Sequence, residues 1–128
     1  MAAIFCASSL SDPPIPSGTD KPLHGLAYLG LAIVVVRGVV GGLPGWIDLR
    51  AAMTAVLITV GYAVTDELHQ MFVPGRSAEM YDLVADAAGA TAGTVACWAW
   101  GIMAQLSERR HKAQSARHEA QRLERDER

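Results

Sequence analysis

Residues 51–70 read AAMTAVLITVGYAVTDELHQ. Positions 51–65 carry no charge, and Asp66, Glu67, His69 and Gln70 follow at once. A run this long exceeds a single strand. A soluble helix would need a polar face, and this stretch offers only Thr54, Thr59, Tyr62 and Thr65. In lipid the backbone must satisfy its own hydrogen bonds, so the run reads as a membrane helix. It is barely long enough, since a bilayer core takes roughly 17–25 apolar residues per helix.

The flanking segments repeat the pattern. Leu23–Val40 is apolar, and its centre from Leu26 to Val36 has one polar side chain, Tyr28. Leu83–Ala104 is apolar with Asp86 near its start, and residues 87–104 carry no charge. The expected fold is therefore all-α and multi-pass, with three transmembrane helices near 23–42, 49–66 and 83–105. Gly38, Gly41, Gly42, Pro44 and Gly45 should end the first helix. Val73-Pro74-Gly75 reads as a turn, and residues 8–20, rich in Ser, Pro, Gly and Asp, as a loop. No internal repeat is present.

Whole-chain composition hides this organisation. The 128 residues are 51% hydrophobic and 19% charged, with a formal net charge of −2. Seven of the eleven Lys and Arg lie in residues 109–128. That distribution excludes a conventional soluble core, and the abundance of Val, Ile and Leu excludes a disordered chain. The net charge gives no case for nucleic acid as a partner. Cys6 and Cys97 are too few and too distant for a disulfide framework or a zinc site.

Charge also orients the chain. The basic tail should remain in the cytoplasm. With three spans, the 38–50 loop is then cytoplasmic, flanked by Arg37 and Arg50. The 66–82 connection is outside, with Arg76 against four acids. The expected organisation is an extracytoplasmic segment 1–22, a transmembrane domain 23–105 and a charged, helical cytoplasmic tail 106–128. Met1–Leu10 is apolar but too short to span. It lacks the basic start of a signal peptide. It reads either as the remainder of a truncated fourth helix or as a lipid-associated terminus.

On this topology three polar groups converge on the outer side. Asp20, His24 and Tyr28 stand four apart on the first helix, so they share a face. Tyr62, Asp66 and Gln70 repeat the spacing on the second, beside Glu67 and His69. Asp82 and Asp86 repeat it on the third. A charge near the bilayer core costs about 2.5–3.5 kcal/mol even on the mild insertion scale. Such residues should face inward and find partners, so Arg76 is expected to pair with Asp66, Glu67, Asp82 or Asp86. The expected pocket is roofed by the 66–82 connection. Gly89 and Gly93 form a G-x-x-x-G stripe suited to close packing; Gly30 and Gly38 suggest a second. Plainer readings exist: Asp20 and Asp82 as helix caps, and Tyr28 as an interface anchor.

Three motifs, Asp20-Lys21-x-x-His24-x-x-x-Tyr28, Thr65-Asp66-Glu67-x-His69-Gln70-x-Phe72-x-Pro74-x-Arg76-Ser77 and Asp82-x-x-x-Asp86-x-x-Gly89, together resemble the VanZ-like family of bacterial integral membrane proteins. The resemblance covers about Phe5 to Trp100. It implies a small multi-pass helical domain of the cell envelope, whose namesake is linked to resistance to the glycopeptide teicoplanin. It carries over Asp20, Lys21, His24, Asp66, Glu67, Gln70, Arg76, Asp82 and Gly89 as motif positions without assigned roles. The chain departs from the family at Asp86, where Asn is usual. It also has only Met1–Leu10 where the family commonly has a full hydrophobic helix.

The expected function is that of a non-enzymatic envelope protein. Its partners would be the lipid bilayer and a lipid-linked cell-wall precursor, another anionic ligand or a glycopeptide. Arg76, Lys21 and His69 would be the anion contacts, since Arg presents a forked donor set. One alternative is a membrane enzyme using His24 or His69 with Asp66 or Glu67 as acid and base. Another is a structural scaffold. No activated Ser or Cys is apparent, so the balance leans away from an enzyme. The His and carboxylate spacing matches no metal-ligand signature, and no cofactor is expected.

Overall fold

The computed structural model describes Met1, Ile4, Cys6, Ser9 and residues 20–42, 46–74 and 79–126. Among the described residues three long helices follow in order: α1 Asp20–Val40, α2 Leu49–Gln70 and α3 Met80–Asp126. Among the described residues there is no strand. Of the loop expected at 8–20 only Ser9 and Asp20 are described, and Asp20 already begins α1; the turn residues Pro44, Gly45 and Gly75 and most of Met1–Leu10 fall outside the described residues.

Local chemistry sets the helix ends. α1 passes through Gly38 and stops at Val40. Gly41 has φ 74°, a left-handed conformation that glycine adopts at little cost. The Gly42 N–H then donates to the Arg37 carbonyl at 2.9 Å, the six-to-one bond that closes a helix C-terminus. α2 starts where the Asp48 carboxylate accepts the Ala51 N–H at 2.7 Å, an N-cap. α2 continues past the expected end at residue 66, so Glu67, His69 and Gln70 belong to the helix as well and not to a roofing connection.

α1 and α2 are long and apolar enough to cross a membrane, with mean hydropathies of 1.9 and 1.3 over their most apolar windows. Only 22% of each window is buried, whereas the core helix of a soluble protein would be mostly buried. Leu26, Val34 and Leu57 stand exposed on the outside. α3 does not reach the same hydropathy. Twelve of its eighteen uncharged residues 87–104 are Ala, Gly or Thr, which bury less apolar area than Leu or Val. Their small size serves packing instead.

The contact between α1 and α3 is the most extensive of the three helix pairs. A Cβ built on Gly89 would lie 2.1 Å from the Gly25 carbonyl oxygen, and one on Gly93 would lie 2.5 Å from that of Leu29. Backbone thus meets backbone along the Gly89-x-x-x-Gly93 stripe. The second suggested stripe is corrected: Gly30 and Gly38 have nothing within 4 Å of a built Cβ. Gly25 supplies the partner surface.

Tyr28, Leu31 and Ala63 form one apolar cluster with Ile4, Val35, Tyr62 and Leu83 against it. Val36, Ile47 and Ala55 form a second, with Val40 and Cys97 among its neighbours. The hydroxyls of Thr59, Thr91 and Thr94 donate to the carbonyls of Ala55, Ala87 and Ala90 at 2.8–2.9 Å. Each polar group is thereby satisfied within its own helix.

α3 has 47 residues, about 70 Å at 1.5 Å per residue. A hydrocarbon core is ~30 Å thick. Any crossing by α3 leaves more than half of the helix outside the bilayer. Residues 106–126 are all exposed, and no break separates them from residue 105.

Candidate functional site

The motif residues meet at one end of the three helices. The i, i+4 spacing read from the sequence places Asp66 and Gln70 on the buried face of α2, and Asp82 and Asp86 on that of α3. Asp66, Gln70, Asp82 and Asp86 are each no more than 6% exposed. Tyr28 from α1 is 1% exposed. Its reading as an interface anchor is therefore overturned: the ring packs inward, 6.3 Å from the Tyr62 ring between centroids.

A ladder of charged groups joins α1 to α3. Lys21 Nζ lies 2.9 Å from Glu79 Oε2 and 3.6 Å from Asp82 Oδ1. One turn deeper, His24 Nδ1 lies 3.3 Å from Asp86 Oδ1. The close approach of Gly25 to Gly89 brings these rungs into register. Asp82 is not a cap, because its own N–H donates to the Glu79 carbonyl at 2.9 Å within the first turn of α3. Its carboxylate, near the helix N-terminus, also gains from the helix dipole.

α2 closes the other side. The Gln70 amide donates to Asp66 Oδ2 at 3.5 Å. Glu67 Oε1 accepts the Glu79 N–H, tying α2 to the start of α3. Two described residues of the N-terminal segment reach the same end. Ser9 Oγ is 3.1 Å from His69 Nε2, and the Tyr62 hydroxyl donates to the Met1 carbonyl at 2.8 Å.

The cluster is not internally satisfied. His24 Nδ1, Tyr28 OH, Asp82 Oδ1 and Asp86 Oδ1 are buried and have no hydrogen-bond partner among the described residues. His24 and Asp86 are close but misaligned, and Lys21 is too far from Asp82 for a hydrogen bond. Buried polar atoms of this kind cost about 1–3 kcal/mol each when left unpaired.

Of the ten candidate residues from the sequence, Lys21, His24, Asp66, Glu67, Gln70, Asp82 and Asp86 take part in this assembly. His69 sits at its edge on Ser9. Arg76 lies outside the described residues, as does the pairing expected of it. The side chain of Asp20 is likewise not described. Glu79 was missed by the sequence reading, although it stands directly before α3 and is the closest partner of Lys21. Among the described residues no group of three or more His, Cys, Asp or Glu side chains could hold a metal ion.

Against known proteins, the family model described as VanZ/LLP1 matches residues 20–103. That span includes every helical residue of the cluster and the Gly89–Gly93 stripe. No curated protein and no solved structure matches the chain.

Proposed function

The chain belongs to the VanZ/LLP1 family, and from that premise we propose that it is a multi-pass membrane protein of the bacterial cell envelope that binds a ligand in its buried polar cluster. In this reading α1, α2 and residues 83–105 of α3 span the bilayer. The cluster lies at the extracytoplasmic end, and the basic end of α3 stands in the cytoplasm. The ligand is a component of the outer leaflet, such as a lipid-linked cell-wall precursor. Binding it alters the response to glycopeptides such as teicoplanin.

One observation carries the reading. Among the described residues, Tyr28, Asp82 and Asp86 are buried with unfilled hydrogen-bonding capacity, at one end of helices that carry exposed apolar residues such as Leu26, Val34 and Leu57. A purely structural cluster would have been satisfied internally or replaced by apolar residues.

The test is native mass spectrometry of the protein purified in mild detergent with bacterial lipid extract or lipid-linked precursor added. Retained ligand, weakened by Tyr28→Phe and by Asp86→Asn, supports the proposal. Bare protein under all conditions rejects it. In cells, the wild type should raise the inhibitory concentration of teicoplanin and the variants should raise it less.

The His24–Asp86 pair favours a second reading, acid–base catalysis on a lipid-linked substrate. His24→Asn would then abolish activity while ligand retention persisted. A binder instead loses affinity in graded steps across Lys21, Asp82 and Asp86.

A further inference from the structure

We infer that the group this cluster receives is an ammonium, carried by a lipid headgroup such as ethanolamine or by a free amine. The inference rests on the binding reading above and names the chemistry of its ligand. Three observations lead to it.

The first is charge. Asp66, Glu67, Glu79, Asp82 and Asp86 gather with Lys21 and His24 at this end of the helices. If Arg76 and His69 are also counted from the sequence as cations, the acids still outnumber the bases. Lys21, expected to contact an anion, is engaged by Glu79 and stands beside Asp82. A phosphate would meet these carboxylates at short range, where like charges repel.

The second is the chain's own ammonium. Lys21 Nζ occupies the rim of the cluster between Glu79 Oε2 and Asp82 Oδ1. It marks the kind of head the carboxylates accept. Among the described residues, the deeper rung has no cation other than His24.

The third is the unfilled set below it. Tyr28 OH, Asp82 Oδ1 and Asp86 Oδ1 are buried and make no hydrogen bond among the described residues, although Lys21 and His24 stand 3.6 and 3.3 Å from the two carboxylate oxygens. Asp82 and Asp86 are one turn apart on α3, a rise of about 6 Å. Two charge-assisted N–H···O bonds of about 2.8 Å, diverging at the tetrahedral angle, span about 4.6 Å, so one ammonium reaches both carboxylates when their side chains lean toward it. The hydroxyl of Tyr28 can accept the third N–H. A metal ion would need three converging ligands, and none converge among the described residues. Around the same end Leu23, Leu68, Phe72 and Met80 are exposed, which suits the acyl or glycerol part of an amphiphile.

The experiment uses the full chain in nanodiscs or mild detergent. Native mass spectrometry compares retention of phosphatidylethanolamine, its N-acetylated form and phosphatidylglycerol; calorimetry measures binding of ethylamine and of inorganic phosphate. Phosphatidylethanolamine retained over both other lipids, with ethylamine silent, supports a lipid headgroup. Ethylamine binding without lipid preference supports a free amine. Asp86→Asn, isosteric with the native side chain, should weaken either by about tenfold or more. Its helicity and melting temperature report that it folds. Tyr28→Phe should weaken binding less. Preference for phosphatidylglycerol or phosphate overturns the ammonium assignment but leaves the binding reading standing. Equal retention of the N-acetylated lipid also overturns it. Failure of every probe, lipid-linked precursor included, overturns both.

Discussion

Replacing Gly89 by Ala should separate α1 from α3 and disrupt the polar cluster with the same movement. The new Cβ would sit 2.1 Å from the Gly25 carbonyl oxygen, 2.9 Å from its carbon and 3.1 Å from its Cα. All three are backbone atoms, so no rotamer change relieves the clash. A relaxed C···O contact is about 3.3 Å, so the helices must part by roughly 1.2 Å at this point. The His24–Asp86 distance of 3.3 Å, one turn away, would open with them. Overpacking typically costs about 1–3 kcal/mol. A backbone clash lies at the upper end, and alanine's helix preference returns up to ~1 kcal/mol. The expected net loss is about 2 kcal/mol, a factor of roughly 30 in the folding equilibrium. Gly30→Ala and Gly38→Ala are the controls, since nothing lies within 4 Å of either built Cβ; they should be neutral or gain ~0.5–1 kcal/mol. Reversible unfolding in mixed micelles reads all three, with ligand retention measured in parallel. Gly89→Ala within about 0.5 kcal/mol of the wild type, with retention unchanged, would refute the close-contact argument.

Three other outcomes are expected. In a background lacking Cys6 and Cys97, Phe72→Cys should react with an impermeant thiol reagent from outside intact cells and Ser115→Cys only after lysis; the reverse pattern inverts the topology. Lys21→Met should destabilise by about 1–2 kcal/mol, because it removes the cation beside nearly buried Asp82; the figure is scaled down from a fully buried pair because Lys21 is part-exposed. Glu79→Gln should cost less, and equal losses would show that Asp82 draws nothing from Lys21. Asp48→Ala, which removes the side chain that caps α2, should cost ~1 kcal/mol in the same unfolding assay; no change would mean that the exposed end of α2 frays without consequence.

What the sequence discloses here follows from period and cost. Helix type was legible because residues 51–65 carry no polar face, and that feature is local. The site face was legible because Asp66 and Gln70, and Asp82 and Asp86, stand at i, i+4 where apolar residues would be cheaper. Three helix ends had only to be laid on the same side for the groups to converge. What stayed hidden depends on how helices cross. Both glycine pairs, Gly89–Gly93 and Gly30–Gly38, satisfy a small-residue spacing, yet only the first meets backbone. Which stripe is used depends on the partner surface at Gly25 and Leu29, and periodicity within one helix does not contain that information. Glu79 was hidden for the same reason, since an acid before a helix looks solvent-facing until Lys21 of α1 is set against it. The balance of charge followed the same path. Read along the chain, Lys21 looked available to an anion. Set against α3, it is held by Glu79 and beside Asp82, and among the described residues the Asp86 carboxylate is left to the His24 imidazole. The crossing of α1 and α3 thus turns a row of motif residues into one buried polar cluster, whose electrical demand the ammonium proposal addresses. Asp86, where the resembled family usually carries Asn, is the residue that makes that demand strongest.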